Sequence, residues 1–181
     1  MSKTTSEIRR CTECGQPQTV DLRATDYPES GLDNVELFNV PVWVCPNGHE
    51  EIEIPAVTQL HELLAQLIVR KPAIITGPEI KFLRRRIGIQ AKEFAERIGL
   101  TAVALSRFET GRQVSRKIDL LIKLSAAAMI AARDGKSFPS DLAPLVERLE
   151  AWDIGSHRLR HIDSAPPDHE WQQDRSLAEA R

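Results

Sequence analysis

The sequence predicts an α+β protein: a small metal-stapled β domain followed by an all-α helix-turn-helix domain. Three observations predict this class. A Cys-x2-Cys pair, Cys11 and Cys14, is followed at a distance by Cys45 and His49. Short runs of alternating apolar and polar residues lie between these ligand types and just beyond them. From residue 78 the apolar spacing becomes helical, and two short helices meet at a glycine.

Composition bounds the possibilities. The chain has 181 residues, 41% hydrophobic and 28% charged, which is enough for one ordinary domain or two small ones with buried cores. An aromatic content of 5% argues against a large β-sandwich. The apolar run at residues 126–132 is far too short to span a bilayer. The opening segment MSKTTSEIRR lacks the apolar stretch of a signal peptide. Three cysteines make a poor disulfide framework and a reasonable metal site in a reducing compartment, so a cytoplasmic protein with no membrane partner is expected. The near-neutral total charge of −2 conceals a strong pattern. Residues 1–58 carry net −6, 59–77 net +1, 78–133 net +7 and 134–181 net −4. A basic middle between acidic ends suits a phosphate-facing surface, or else an ordinary solvated helical face.

The division of the chain follows from these shifts. Residues 1–58 form the zinc-finger domain. Cys11-Thr12-Glu13-Cys14 is a knuckle in which Gly15 can turn the backbone so that both thiolates face one ion. Strand-like runs follow at Val35, Leu37 and Val40, then Val42, Trp43 and Val44, then Ile52 and Ile54. Gly31, Asn39-Val40-Pro41 and Asn47-Gly48 punctuate them. Cys45 and His49 supply a second, Cys-x3-His pair. Cys11, Cys14, Cys45 and His49 together make a closed tetrahedral shell for a structural Zn2+, which soft sulfur ligands favour over magnesium or calcium. About 50 residues with few large apolar side chains need such a staple. The alternative is three unrelated thiols and a surface histidine. His61 is read as a surface residue of the next helix rather than a ligand.

Residues 59–77 form a connecting helix and linker. Leu60, Leu63, Leu64, Leu67 and Ile68 recur at helical spacing, and Pro72 ends the run after Lys71. This helix joins the two domains or packs against a partner.

Residues 78–134 form the helix-turn-helix domain. Thr76 caps its first helix, Glu79 reaches back as a capping-box acid, and Pro78 sits in the first turn. Ile80, Leu83 and Ile87 share one face, and Gly88 ends the helix. A second helix runs from Ala91 with Phe94, Ala95 and Ile98 apolar, and Gly99 makes the turn. A third begins after Thr101 and stops at Thr110-Gly111. Leu105 and Phe108 lock it onto the second, which leaves Thr101, Ala102, Val103, Ser106 and Arg107 on the face a recognition helix turns to the major groove. Lys92, Arg112, Arg116 and Lys117 flank it as phosphate-binding cations. A plain helical bundle with a basic face is the competing reading. A long helix follows from Ser115, with more apolar positions than one face holds, as a twofold interface requires. Residues 135–154 are read as a C-terminal helix extension with Leu142, Leu145, Leu149 and Trp152 in one stripe, and 155–181 as a disordered tail.

Residues 79–124, including Ser106-Arg107-Phe108-Glu109-Thr110-Gly111-Arg112, resemble the Cro/cI-type (XRE) helix-turn-helix family. The segments Tyr27-Pro28-Glu29-Ser30-Gly31-Leu32-Asp33-Asn34-Val35 and Val40-Pro41-Val42-Trp43-Val44-Cys45 resemble the zinc finger of MqsA-type (YgiT-type) antitoxins. The order of the two parts matches that family as well. The resemblance implies that Cys11, Cys14 and Cys45 ligate zinc, with His49 substituting for a cysteine whose place Gly48 occupies. It implies that Arg107 reads operator bases and that Val103 stands where the family has a base-reading asparagine. The glutamine common at the start of the second helix falls at Ala91, and Gln90 beside it takes over part of a phosphate contact.

The expected function is a sequence-specific DNA-binding regulator, an antitoxin that represses its own operon as a homodimer on a double-stranded operator and binds a small toxin protein through the zinc domain. Its acidic N-terminal segment suits a basic partner. The alternative is a stand-alone XRE-type transcription factor whose zinc finger is only structural. An enzyme is not expected, since the sequence has no His-Glu-x-x-His, no glycine-rich phosphate loop and no nucleophile–base constellation.

Overall fold

A computed structural model describes residues 9–142, 159–165 and 170–173, the last two stretches as backbone only. Five strands and five α-helices occur among these residues. Strands β1 (Thr19–Asp26), β2 (Val35–Val44) and β3 (Glu50–Ile52) come first. Helices α1 (Val57–Arg70), α2 (Gly77–Ile87), α3 (Ala91–Arg97), α4 (Ala102–Glu109) and α5 (Arg116–Arg133) follow. Strands β4 (Leu159–Ala165) and β5 (Glu170–Gln173) come last.

The described residues fall into two compact units. One is drawn from Met1–Asp26, Glu36–Gln59 and Arg160–Arg181, the other from Tyr27–Val35 and Leu60–Leu159.

The first unit is a sheet of strand order β1-β2-β4-β5, with β3 also paired to β2. The pairs β1/β2, β2/β3 and β4/β5 are antiparallel. Buried and less buried residues alternate along β2, but the phase slips between Leu37 and Val40. A bulge explains the slip. The register jumps between Arg23 and Thr25, and Asn39 takes the left-handed conformation, φ 54°. Asn39-Val40-Pro41 therefore kinks one continuous strand instead of separating two. Strand β1 has no counterpart in the sequence reading, because Val20 and Leu22 are both more than half exposed and leave no buried stripe. Two strands occur within 155–181, the stretch read as a disordered tail.

The second unit is helical. Leu60, Leu64, Ile68, Ile80, Leu83, Phe94, Leu105, Ile122 and Leu142 are among its fully buried apolar side chains. Helix α2 packs on α4 and α5, and α3 packs on α4. Segment Tyr27–Val35 belongs to this unit, with Tyr27 and Leu32 buried. His61, read as a surface residue, is half-buried. Its ring meets Phe82 edge-on at 5.5 Å, and its Nε2 lies 3.0 Å from the Tyr27 hydroxyl. Burial, then Arg86, holds its pKa below the ordinary histidine value.

Two buried ion pairs fix the linker between α1 and α2. Glu79 accepts the Thr76 N–H at 2.7 Å, as the capping pattern predicts, and also binds Lys71 Nζ at 2.6 and 2.7 Å. Lys123 Nζ donates to the carbonyls of Lys71 and Ala73 and to Asp119, and Asp119 accepts the Ile75 N–H at 2.7 Å. Burial pushes the Lys123 ammonium below its ordinary pKa, and the neighbouring Asp119 carboxylate opposes the shift. Past α5, Ser140–Leu142 make a single 3-10 turn; the expected helix through Leu145, Leu149 and Trp152 lies outside the described residues.

Candidate metal centre and nucleic-acid interface

The sheet register sets the first site. Thr19 pairs with Val44, so the loop before β1 and the loop after β2 meet at one end of the sheet. Each loop is a tight knuckle. Gly15 N–H donates to the Cys11 carbonyl and Gly48 N–H to the Cys45 carbonyl, both at 2.9 Å, and both glycines have positive φ. Glu51 of β3 ties the first knuckle down by accepting the Thr12 N–H and hydroxyl at 3.0 and 2.8 Å.

The four candidate ligand atoms of Cys11, Cys14, Cys45 and His49 lie within 4.8 Å of one another. Cys14 Sγ and Cys45 Sγ are 3.7 Å apart, and Cys11 Sγ is 3.5 Å from His49 Nδ1. A tetrahedron with metal–sulfur bonds of about 2.3 Å and metal–nitrogen bonds of about 2.05 Å has edges of about 3.8 and 3.5 Å. The residues present therefore fit a bound ion. His49 Nε2 faces Glu13 Oε2 at 3.5 Å, where a carboxylate orients a ligating imidazole. Burial disfavours ionisation of Cys11 and Cys45, but backbone N–H groups outweigh it and bring both thiols below the usual value. At Cys14 the Gln16 N–H favours the thiolate, yet burial and the two neighbouring sulfurs prevail and raise its pKa. A cation among the sulfurs removes that repulsion.

The second site is built on α3 and α4. Phe94 and Ala95 of α3 are fully buried, as is Leu105 of α4, whereas Phe108 is only half-buried. Gly99, φ 69°, makes the turn between the helices, and Leu100 N–H closes it on the Ala95 carbonyl at 2.9 Å. Thr101 Oγ1 accepts the Ala104 N–H at 3.1 Å and caps α4. With Leu105 facing inward, Thr101, Ala102, Val103, Ser106 and Arg107 all lie exposed. Gln90, at the N-cap of α3, and Lys92 and Arg112 are exposed, whereas Arg116 is half-buried at the start of α5.

The basic segment divides in a way its charge count does not show. Arg84 binds Glu109 through two nitrogens at 2.7 and 3.1 Å, and Arg86 binds Asp134. Lys81, Arg85, Lys92, Arg107, Arg112 and Lys117 are exposed. Arg84 and Gly77 are the positions that sequence reasoning missed. Arg84 holds the end of α4 on α2. A Cβ at Gly77 would lie 2.7 Å from the carbonyl oxygens of Phe108 and Glu109, so the start of α2 touches the backbone at that same end of α4. The only sequence signal for the ion pair is opposite charge at two positions 25 residues apart.

A family model for the Helix-turn-helix matches residues 80–127, from α2 into α5. The match supports a DNA-binding regulator of the Cro/cI (XRE) type, on the helices just described. No curated protein and no solved structure matches the chain. No helix among the described residues is long and apolar enough to cross a membrane.

Proposed function

We propose that this protein is a sequence-specific transcriptional regulator that reads an operator duplex with α4 in the major groove. One observation carries the reading: Arg107 is exposed on α4, while Leu105 on the opposite face is fully buried against the domain core. A guanidinium so placed can bond O6 and N7 of a guanine bidentately. Val103, Ser106, Ala102 and Thr101 complete the base-facing surface. Gln90, Lys92, Arg112 and Arg116 meet phosphates and set orientation. Leu121 of α5, 37% exposed, offers an apolar contact to a second copy, and a homodimer on two half-sites is the arrangement that the family resemblance implies.

The metal is a structural Zn2+. Three sulfurs and one imidazole form a closed shell of soft donors with no position left for a reacting water. The regulator is also an antitoxin, which represses its own operon and engages its toxin through the acidic zinc domain. The resemblance to MqsA-type antitoxins and the −6 charge of residues 1–58 support this role.

Footprinting on the promoter of its own operon is the direct test, and a protected operator is expected. Arg107→Ala should weaken operator binding by about 1–3 kcal/mol, roughly 5- to 150-fold, at matched salt, and should relax the preference for one base. Unchanged affinity would remove α4 as the reading element. Co-expression with a small adjacent reading frame tests the antitoxin role. Restored growth supports it, whereas a toxic neighbour that the protein does not neutralise leaves a stand-alone transcription factor.

A further inference from the structure

We propose that Val103 is a specificity residue that reads the C5-methyl group of a thymine close to the guanine read by Arg107. The inference rests on the major-groove reading above and adds a base to it. Val103 is 61% exposed, more than any other large apolar side chain among the described residues. A lone exposed valine means little by itself. Its position gives it meaning here. Val103 and Arg107 are four residues apart on α4, so they share one helix face. That spacing is about 6 Å along the helix, which reaches across no more than about two base-pair steps. Ala102 and Ser106 beside them are too small to screen the valine.

The chemistry selects the base. A valine has no donor or acceptor, so it bonds none of the polar base edges. The thymine methyl is the only apolar feature of the major-groove edge. At the place of that methyl cytosine presents only its C5–H, so the apolar contact is missing, and either purine presents N7 together with an oxygen or an amino group. Cytosine therefore forgoes the methyl contact, and the purine groups would lose water against the valine without a replacement bond. Branching at Cβ leaves Val103 essentially one rotamer in a helix, so little side-chain freedom is lost on binding.

The test uses the full-length protein and duplexes selected from a random DNA library. The selected consensus should hold a T·A pair within two steps of the guanine whose recognition Arg107→Ala abolishes. Replacing that thymine by deoxyuridine removes only the methyl group. Affinity of the unaltered protein should then fall about fourfold, the size of burying one methyl-sized apolar group. The Val103→Ala protein, whose shorter side chain stops short of the methyl, should lose most of this sensitivity. It is expected to fold, since it removes two exposed methyl groups and raises helix propensity. Equal sensitivity to deoxyuridine in both proteins overturns the inference, as does a consensus with no such thymine; DNA reading by α4 stands in either case. Failure of the folded protein to select any consensus removes the major-groove reading and this inference together.

Discussion

A single missing side chain decides how α2 and α4 meet. Gly77 opens α2, and glycine is ordinarily a poorer helix former than alanine. Here a Cβ would press on two backbone carbonyl oxygens, and backbone cannot rotate away as a flexible side chain does. The clash outweighs the propensity gain, because overpacking of this kind costs about 1–3 kcal/mol. Gly77→Ala should lower the stability of the folded protein by about 1–2 kcal/mol, read as a lower urea midpoint with unchanged slope. An unchanged or raised midpoint would show that α2 and α4 separate without cost. Arg84 and Glu109 clamp the same junction, with both side chains largely buried. Arg84 therefore positions α4 and is not available to phosphate. Charge counting along the sequence cannot make that distinction, since it weighs Arg84 and Arg85 alike.

At the scale of elements, α4 depends on its cap. It is eight residues long, too short to persist in water without packing and capping. Thr101 Oγ1 supplies one acceptor for its otherwise unbonded N–H groups. Thr101→Ala should cost about 1 kcal/mol in chemical denaturation, and Thr101→Ser, which keeps the oxygen, should cost a few tenths at most. Equal losses for the two variants would mean that the threonine methyl group, not the cap, matters. The caps at Thr76, Thr101 and Ser115 were legible in the sequence because capping is local and written within four residues. The helices α1 to α5 were legible for a related reason: each buries one stripe at helical spacing. The clustering of Cys11, Cys14, Cys45 and His49 was legible by residue type and spacing. Strand β1 was not, because its apolar side chains face solvent. The bulge at Asn39 was not, because a phase slip of one residue reads as a break. The membership of Tyr27–Val35 in the helical unit was not, because it rests on Tyr27, Ser30 and Leu32 being buried far from their neighbours in sequence.

Across the whole molecule, the two units differ in what holds them. The helical unit contains its own set of fully buried large apolar side chains and two buried ion pairs. The sheet unit buries Leu37, Val40 and Val42 but leaves Val20, Leu22 and Ile52 more than half exposed. An ion held by the four clustered side chains would supply the missing stability, since metal binding contributes on the order of 10 kcal/mol of folding free energy in small zinc-stapled domains. Chelation should therefore dissolve the sheet unit and spare the helices. Hydrogen exchange read by mass spectrometry separates the two outcomes. With a strong chelator, peptides within 36–54 should lose protection, while peptides within 80–127 keep it. Segment Tyr27–Val35 is the informative region, since both its ends continue directly into sheet strands. Its own anchors lie in the helical unit: Ser30 Oγ donates to the Tyr27 carbonyl at 2.6 Å, and Asn34 donates to Glu79 at 3.3 Å. Its protection should survive chelation. Loss of protection at 27–35 together with α2 would instead show that metal loss reaches the start of the helix that supports α4. Operator affinity would then fall with metal removal even though none of the four clustered side chains belongs to the helix-turn-helix domain.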